Sequence, residues 1–433
     1  MILYYLLFIW FVYALSKDFK HTLFVYLPIR IALHQGIILW PANPTVMFDS
    51  AACLFVIFNY FFVQKGKTSS VKFPFAFPLI LFACSEFLSS FFASTSGNGM
   101  NFLQNIVVGI LFLYVVWNNI NSTEDLKLVI KGYTIMFSLA IGLSLFEQVT
   151  HFNPIIALET ALLPASAPLG LIWPSSQVRF GGLFRAQAFM SISITYGAYC
   201  LMFFLFYFFL TNKYPIYSFY KKTKNKIFTL GLALGAFLSG SKSPILALMI
   251  GFIPMLRVRW FFNLKIILPL IVVLGLSLPM MTGMYDDIHD AMTAENTWDY
   301  QGGSSLAMRE MQLNVSLTEF NKSPIIGNGT KYLAHAMDYY GAELLGAESI
   351  WFGLLIEKGM IGIVAFIVIL TYPLFMRRLK YKKVYLALAM GWLAINTMTT
   401  IPGLGNTFYY TLIMLLYKAQ LFNEKDAISK RKV

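Results

Sequence analysis

The sequence predicts an all-α protein that is embedded in a membrane, and three observations lead to this prediction. The chain of 433 residues is 58% hydrophobic, and only 12% of its residues are charged. Soluble domains carry about twice that share of charge. Apolar runs of membrane-spanning length recur along the chain, and a single long polar stretch, residues 283–349, lies among them. We therefore expect one integral membrane domain, residues 1–433, with one long loop.

The apolar runs predict a polytopic protein of about 12 or 13 transmembrane helices. Several of the runs are short, and two are interrupted by Pro or polar residues, which is why the count is approximate. The predicted spans lie near residues 1–15, 23–41, 46–63, 73–93, 102–118, 127–147, 186–210, 227–239, 244–256, 261–282, 350–375, 384–401 and 406–421. The first run lacks a basic leader and a small-residue cleavage site, so we expect it to be retained as a span.

Positive charge sets the predicted topology. The chain has a formal net charge of +13, and its Lys and Arg residues gather in short connections and in the tail, near residues 65–72, 213–226, 257–259, 377–383 and 425–432. Cytoplasmic loops of membrane proteins carry such an excess, so this charge does not indicate a nucleic-acid partner. Alternation then puts residues 94–101, 148–185, 240–243, 283–349 and 402–405 outside. It also puts Met1 outside, unless residues 1–41 cross the membrane differently.

The cysteines give no sign of a disulfide or a metal site. Cys53, Cys84 and Cys200 all fall within predicted spans, and no Cys-x-x-Cys or Cys/His spacing is present. We expect buried, reduced thiols.

The loop at 283–349 is acidic in a basic protein. It holds 10 of the chain's 20 acidic residues and three of its 33 basic ones. Near residues 304–321 it contains a predicted amphipathic helix, which Ser304 or Ser305 would cap and Pro324 would end. The apolar side chains at helical spacing are Leu306, Leu313, Leu317 and Phe320. This helix would lie on the membrane surface, with Arg309 able to reach a lipid headgroup.

Four basic residues lie on the predicted outer face, against the general charge pattern: Arg179, Arg185, Lys242 and Arg309. A guanidinium fork suits a phosphate held at low dielectric, and a lysine adds a point charge. Any one of them alone could instead extend along the interface to water. The SGSKS sequence around Lys242 is not a nucleotide-binding P-loop, because Ser241 separates Gly240 from the lysine.

Glu348 is the candidate general base. It stands just before the apolar span that starts near residue 350, and a partly desolvated carboxylate suits that role. The alternative is that it only favours the N-terminal end of the helix dipole. Glu357 and Lys358, further along the span, are expected to be either an ion pair or polar groups involved in packing.

Other polar residues have simpler explanations. Asp286, Asp287 and Asp290 could bind a divalent cation, but no second group of ligands accompanies them, so we expect no metal. His335 is expected to be an exposed loop residue without a catalytic role. Arg30 and His34 lie inside a predicted span, and their role stays open.

Four motifs follow one another between Arg179 and Leu370: RFGGLFRAQAFM, LSGSKSPILAL, REMQLNVSLTEFNKSPIIGNG and ESIWFGLLIEKGMIG. In this order they resemble the motifs of the bacterial O-antigen ligase and Wzy-type polysaccharide polymerase superfamily. The family patterns are Arg-x-x-Gly-x-Phe, a Ser-Arg-Gly-Ala turn, Arg followed by Pro-x-x-Gly-x-Gly, and His-Asn followed by Glu-x-Gly-x-x-Gly. Lys242 stands in place of the arginine in the second motif, and the Pro-Asn that usually follows the first motif is missing.

The resemblance implies a GT-C-like, metal-independent membrane glycosyltransferase without a cofactor. It would act on glycans carried by undecaprenyl pyrophosphate, at the periplasmic face of the bacterial inner membrane. Arg179 or Arg185, together with Lys242 and Arg309, would hold the pyrophosphate. Glu348 stands where the ligase has its catalytic histidine, which leaves a carboxylate as the base. A flippase and a chain-length regulator are the expected partners besides the lipid bilayer.

Three functions follow as hypotheses. The first is a polymerase that joins lipid-linked oligosaccharide repeat units. The second is a ligase that transfers the glycan to lipid A-core. The third is a transporter of lipid-linked oligosaccharides, which would require paired broken helices and charges near the middle of the membrane.

Overall fold

The computed structural model describes residues 2–32, 37–40, 46–66, 69, 71–92, 99–162, 178–179, 182–255, 306–344, 347–376, 379–399 and 404–431. Within these ranges the protein is helical apart from two short two-stranded ladders, which confirms the all-α prediction. The predicted span at 261–282 lies outside the described residues.

The first half of the chain contains eight α-helices among the described residues. They are α1 (Ile2–Lys17), α2 (Phe19–Ala32), α3 (Phe48–Phe58), α4 (Ala76–Phe92), α5 (Gly99–Asn105), α6 (Phe112–Asn119), α7 (Thr123–Thr150) and α8 (Pro154–Leu162). A π-helix, Asn59–Val63, extends α3, and a second one, Ile106–Leu111, joins α5 to α6. Strand β1 (Ile38–Trp40) pairs antiparallel with β2 (Val46–Met47).

The second half begins with the antiparallel strands β3 (Val178–Arg179) and β4 (Leu183–Phe184). Its described α-helices are α9 (Ser193–Lys213), α10 (Lys222–Leu238), α11 (Lys242–Phe252), α12 (Leu306–Lys322), α13 (Tyr332–Tyr340), α14 (Ile350–Phe375), α15 (Lys382–Met398) and α16 (Leu404–Arg431). Short 3₁₀ turns at Pro215–Tyr217, Ile253–Met255 and Gly341–Leu344 follow α9, α11 and α13.

Four of the described helices are long and apolar enough to cross a membrane unaided. They are Phe102–Asn119, Thr123–Thr150, Ser193–Lys213 and Ile350–Phe375. Shorter helices lie at the predicted spans near residues 1–15, 46–63, 73–93, 227–239, 244–256 and 384–401. The 28-residue α16 covers the predicted span at 406–421. The span predicted at 23–41 is wrong at its end, because α2 ends at Ala32 and Ile38–Trp40 forms β1. The protein is therefore a multi-pass membrane protein.

Aromatic rings make much of the contact between the central helices. Phe137 of α7 stacks on Phe203 of α9 with 4.6 Å between ring centroids, and Phe408 of α16 lies 4.9 Å from Tyr199 of α9. These rings are almost completely buried. Large rigid side chains give extensive contact between helices that have few polar groups to join them.

Helices α11 and α15 run antiparallel in close contact. Gly251 lies against Gly391 and the Ala387 carbonyl, and Gly391 lies near the Ala247 carbonyl. Earlier positions of α11 therefore meet later positions of α15. The first residue of α11 and the last residue of α15 consequently lie at the same end of the pair.

Several other helix termini gather at this end. The side chain of Gln148, near the end of α7, donates to the Leu238 carbonyl at the end of α10. Ser193 and Ser241, at the beginnings of α9 and α11, are 3.4 Å apart. Arg309 of α12 donates to the Met398 carbonyl. We call this end of the molecule the outer end. The charge pattern groups the same segments on one side of the membrane, and that this side is the outside stays a prediction.

The N-terminal helices follow the same arrangement. The end of α4 contacts outer-end residues, since Ser90 and Thr330 are 2.9 Å apart. The beginning of α3 lies next to α5, because Gln104 donates to Ser50. Tyr5 of α1 donates to the Leu39 carbonyl of β1. The beginning of α1 therefore lies near β1 and β2, at the end of the molecule where charge alternation puts Met1.

Helix α14 is broken at Gly359, whose φ of 58° and ψ of −154° are not helical. A segment of main chain fills the break. The Ile356 and Glu357 carbonyls accept from the N–H groups of Asn328 and Gly329 at 2.9 and 3.1 Å. The N–H groups of Met360 and Ile361 donate to the Pro324 and Ile325 carbonyls at 2.9 and 3.2 Å. The third and fourth sequence motifs thus meet as one structural joint.

Candidate functional site

Arg309 and Glu348 lie together at the outer end. The Nη2 atom of Arg309 is 3.5 Å from Oε2 of Glu348, and the two side chains are 33% and 38% exposed. The same nitrogen donates to the Met398 carbonyl at 2.8 Å. The arginine therefore joins α12, the segment before α14 and the end of α15, while both charged groups stay accessible to a ligand.

The main chain of Glu348 is fixed from two sides. Its N–H donates to Oε1 of Gln312, a fully buried residue of α12, at 3.2 Å. The next residue, Ser349, is the N-cap of α14 and accepts from the Trp351 N–H. Because the serine caps the helix, the Glu348 carboxylate is not needed for capping and can face Arg309. The indole of Trp351 donates to Thr397 at 3.0 Å, which ties α14 to α15.

Helix α12 covers residues 306–322, where the sequence predicts a helix near 304–321. Its candidate caps, Ser304 and Ser305, lie outside the described residues. The face that packs into the protein is mostly polar, with Gln312, Ser316 and Glu319 buried beside Val315. Leu313 and Leu317 of the predicted apolar stripe are 41% and 43% exposed. An outward apolar stripe suits a helix that contacts lipid.

Glu319 joins α12 to α13. Its carboxylate accepts from Lys322 at 2.5 Å, Tyr340 at 2.7 Å and Tyr332 at 3.0 Å. Burial by itself raises the pKa of Glu319, but hydrogen bonds from Lys322, Tyr340 and Tyr332 outweigh it and hold the pKa below its usual value. This network keeps the helix that carries Arg309 in a fixed orientation.

Arg185 and Lys242 form a second group of cations. Nη2 of Arg185 donates to Ser241 Oγ at 3.3 Å, and Ser241 is the N-cap of α11. Lys242 follows as the first residue of that helix. Gly240, at φ 59°, leaves space for the Arg185 side chain, since a Cβ at this position would lie 2.8 Å from Arg185 Cγ. The glycine in SGSKS therefore serves the packing of Arg185 and not the binding of a nucleotide.

Arg179 lies on the same hairpin as Arg185. Its main chain belongs to β3 and pairs with Leu183 of β4. Its side chain lies outside the described residues. The hairpin brings the main chain of Arg179 close to the segment that carries Arg185.

The two groups of cations border the same helix pair. Lys242 begins α11 and Met398, the partner of Arg309, ends α15. From the glycine contact, each terminus lies roughly 10–13 Å along its helix axis in the same direction, at 1.5 Å per residue. Four of the five predicted site residues thus have described side chains at the outer end.

Glu147, Gln148 and Gln312 are residues of this region that the sequence did not indicate. Glu147 and Gln312 are completely buried. The carboxylate of Glu147 accepts from the main-chain N–H groups of Gln187 and Ala188, just after Arg185. The only signal in the sequence is an acid followed by an amide near the end of an apolar span.

Glu357 and Lys358 do not bond to each other through their side chains. Lys358 forms a buried ion pair with Glu86 of α4, and Glu357 accepts from the Leu333 N–H at 3.2 Å. The sequence left two predictions open, an ion pair between Glu357 and Lys358 or polar groups involved in packing. The structure agrees with the second. Lys358 also lies 4.8 Å from the centre of the Phe82 ring.

Arg30 forms a buried structural contact. It donates to Asp49 at 2.8 Å and to the Val108 carbonyl at 3.0 Å, and lies over the Phe112 ring. His335 is exposed on α13, with its ring 5.6 Å from that of Tyr332.

No group of three His, Cys, Asp or Glu residues suited to a metal occurs within the described residues. His34, Asp286, Asp287 and Asp290 lie outside them. Cys53, Cys84 and Cys200 are free thiols, and Cys53 and Cys200 are buried as expected. The expectation is wrong for Cys84, whose side chain is exposed on the surface of α4.

Comparison with known protein families finds a match in this region. Residues 227–367 match the family model described as O-Antigen ligase. This part of the chain, about a third of its length, is similar to the O-antigen ligase family. The match confirms the resemblance to the ligase and Wzy superfamily, and it includes Lys242, Arg309 and Glu348. Arg179 and Arg185 precede the matched segment.

No curated protein matches the chain significantly. The family supports a glycosyl-transferring enzyme of the O-antigen ligase or polymerase type that acts on a lipid-linked glycan.

Proposed function

We propose that the protein is a metal-independent glycosyltransferase that polymerises oligosaccharide repeat units carried by undecaprenyl pyrophosphate. The reaction would take place at the periplasmic face of the inner membrane. The observation that carries the proposal is the Arg309–Glu348 pair, a carboxylate and a guanidinium 3.5 Å apart at the outer end of the helices. The match of residues 227–367 to the O-antigen ligase family model supports the class of reaction.

In this mechanism Glu348 removes the proton from a hydroxyl of the acceptor sugar. The resulting oxygen attacks the anomeric carbon of the donor glycan, and the bond from that carbon to the pyrophosphate breaks. Undecaprenyl pyrophosphate leaves with the electron pair, and Glu348 keeps the proton until water removes it. A lipid pyrophosphate is already a good leaving group, so nucleotide hydrolysis is not required.

Cations stabilise the negative charge that develops on the departing pyrophosphate. Arg185 and Lys242 are held next to each other by the turn at Gly240 and Ser241. Arg309 faces the carboxylate and would contact the pyrophosphate from the other side. Arg179 is assigned to the same role from its position on the β3–β4 hairpin.

Ligation to lipid A-core is the second candidate, favoured by the description of the matching family model. A glutamate stands where the resemblance gives the ligase a histidine, which is the reason to prefer polymerisation. The broken α14 is a feature that a transporter would need, but its break is filled by main chain from residues 324–329.

Deletion of the gene, followed by separation of the cell's glycolipids, distinguishes the candidates. Loss of a polymerase leaves single repeat units attached to the acceptor lipid. Loss of a ligase leaves full-length chains on undecaprenyl pyrophosphate. If the glycolipids do not change, the glycosyltransferase proposal is wrong.

Complementation with Glu348→Gln tests the proposed base. We expect turnover to fall by about 10²–10⁴-fold, the usual contribution of a general base, with normal accumulation in the membrane. Glu310→Gln is the matched control, because Glu310 lies beside Arg309 on α12 with an exposed side chain. A Glu348→Gln protein with full activity would remove Glu348 from the mechanism.

A further inference from the structure

Two consecutive residues near the end of α7 hold the segment that carries Arg185. We propose that Glu147 and Gln148 are positioning residues that direct the Arg185 guanidinium toward the pyrophosphate of the lipid-linked donor. This inference rests on the proposed function, because it assumes that Arg185 binds the donor. Neither residue needs to touch the substrate.

Glu147 fixes the main chain after Arg185. Its Oε2 atom accepts from the Gln187 N–H at 3.0 Å and its Oε1 atom from the Ala188 N–H at 2.8 Å. The Glu147 side chain is completely buried. Ala188 has a φ of 49°, in the left-handed region that a residue with a Cβ seldom adopts. The two hydrogen bonds stabilise this unusual turn.

Gln148 fixes the main chain before Arg185. Its Nε2 donates to the Phe184 carbonyl at 2.6 Å and to the Leu238 carbonyl at 3.3 Å, and its Oε1 accepts from the Phe184 N–H at 3.1 Å. The Ala186 N–H donates to the same Leu238 carbonyl at 3.2 Å. The residues on both sides of Arg185 are thus bonded to α7 or to the end of α10.

From this fixed main chain, the Arg185 side chain extends to the beginning of α11. It packs against Gly240 and donates to Ser241, which brings it beside Lys242. A phosphate ligand gains most from a guanidinium that is already oriented, because little side-chain entropy is then lost on binding. The buried clamp from α7 supplies that orientation.

Near-isosteric variants separate positioning from packing. Glu147→Gln keeps the volume but turns an NH₂ group toward one of the two N–H donors, which breaks that hydrogen bond. Ser144→Ala is the matched control. It removes a buried hydrogen bond on the same helix, from the Tyr196 hydroxyl at 2.8 Å, without touching the Arg185 segment.

Binding of undecaprenyl pyrophosphate to the purified full-length protein in detergent is the first measurement. We expect Arg185→Ala to weaken binding by about 10-fold or more, the size of a charge-assisted contact to phosphate. Glu147→Gln should also weaken binding. In an Arg185→Ala background, however, Glu147→Gln should cause no further loss. Ser144→Ala should leave the Kd unchanged in both backgrounds.

The outcomes separate the two proposals. If Glu147→Gln and Arg185→Ala weaken binding independently, so that their fold-losses in affinity multiply, Glu147 has a general structural role and the positioning role is wrong. Unchanged binding in Glu147→Gln would also overturn the positioning role. If Arg185→Ala itself binds the probe like the wild type, the proposed donor site is wrong.

Chemical modification of Arg185 by phenylglyoxal, followed by mass spectrometry of its peptide, is a readout that does not depend on the substrate. The rate should rise in Glu147→Gln and stay at the wild-type value in Ser144→Ala. An unchanged rate in Glu147→Gln contradicts the clamp even if donor binding is altered.

Discussion

The carboxylate of Glu319 accepts hydrogen bonds from three side chains and has a lowered pKa, so its contribution to stability depends on pH. A carboxylate whose pKa is lower in the folded state stabilises that state above its unfolded pKa, about 4.3 for glutamate. The stabilisation is lost as the pH falls through the lower, folded value.

We therefore predict that Glu319→Gln lowers the melting temperature of the detergent-solubilised protein at pH 7. The difference from the wild type should shrink as the pH falls below about 4.3 and through the lower, folded pKa of the wild-type carboxylate. Glu310→Gln, on the exposed face of the same helix, should behave like the wild type at every pH. A difference between Glu319→Gln and the wild type that is constant with pH would exclude the carboxylate as its cause.

Arg309 and Glu348 could be selected from the sequence because their charge conflicts with their surroundings. One is a cation in an acidic loop, and the other is an anion at the entrance to an apolar span. Gln312 and Glu147 could not be selected in this way. Their partners are main-chain N–H groups of distant segments, and no pattern of residue types records such a contact.

At the scale of elements, the joint between residues 324–329 and α14 depends on the absence of side chains. A Cβ on Gly327, at φ 74°, would lie 2.2 Å from the Glu357 carbonyl carbon. Main-chain groups of residues 324–329 replace the hydrogen-bond partners that α14 lacks at its break. The two segments must therefore approach closely.

Gly327→Ala is expected to destabilise the protein by about 3 kcal/mol or more, from overlap and from backbone strain together. Thermal unfolding and accumulation in the membrane both measure this loss. Gly353→Ala is the control on α14, since its new methyl group would make an ordinary 3.8 Å contact with Leu333. Equal behaviour of the two variants would contradict the proposed role of the joint.

The ion pair between Lys358 and Glu86 adds a second link across the break, between α14 and α4. Lys358→Met leaves the nearly inaccessible Glu86 without its cation, which we expect to cost about 3–5 kcal/mol. The double variant Glu86→Gln with Lys358→Met should recover part of that loss. Failure of the double variant to recover any stability would show that the pair does not act as a unit.

An exposed pair is the control for that experiment. Glu124 and Lys127 are 79% and 38% exposed at the beginning of α7. Lys127→Met should change the stability by about 1 kcal/mol or less.

The sequence predicted α14 as one apolar span and the end of the preceding helix at Pro324. Periodicity and hydropathy identified both segments but not their contact. The sequence around the break, a glycine followed by Met-Ile-Gly, is continuously apolar and gives no sign of it. The hydrogen bonds that compensate for the break come from a distant segment, residues 324–329.

For the whole molecule, charge alternation predicted which segments share one end, and the described helices have that arrangement. Hydropathy predicted the described spans because lipid imposes a minimum length on every one of them. The packing order of the helices does not follow from such one-dimensional signals. The contacts of α11 with α15 and of α4 with α14 arise from glycines and buried polar groups.

Cysteine labelling tests the sidedness of the molecule. Cys84 is exposed and is first replaced by alanine, whereas Cys53 and Cys200 are buried. Labelling of a newly introduced cysteine then reports the side of the membrane on which that cysteine lies. An impermeant maleimide should modify Asp338→Cys, on the exposed face of α13, in right-side-out vesicles. It should modify Lys224→Cys, at the beginning of α10, only after the membrane is opened. The reverse pattern would put the Arg309–Glu348 pair in the cytoplasm and exclude the proposed reaction.

In the proposed reaction, the contact of Gly251 with Gly391 also has a consequence for substrate selection. Arg309 is anchored at the end of α15, whereas Lys242 starts α11, so the gap between these cations depends on how closely the two helices approach. The width of that gap limits the length of the phosphate group that can contact both cations. Selection of a pyrophosphate over a monophosphate would then be governed by two residues without side chains, buried in the membrane and remote from the substrate.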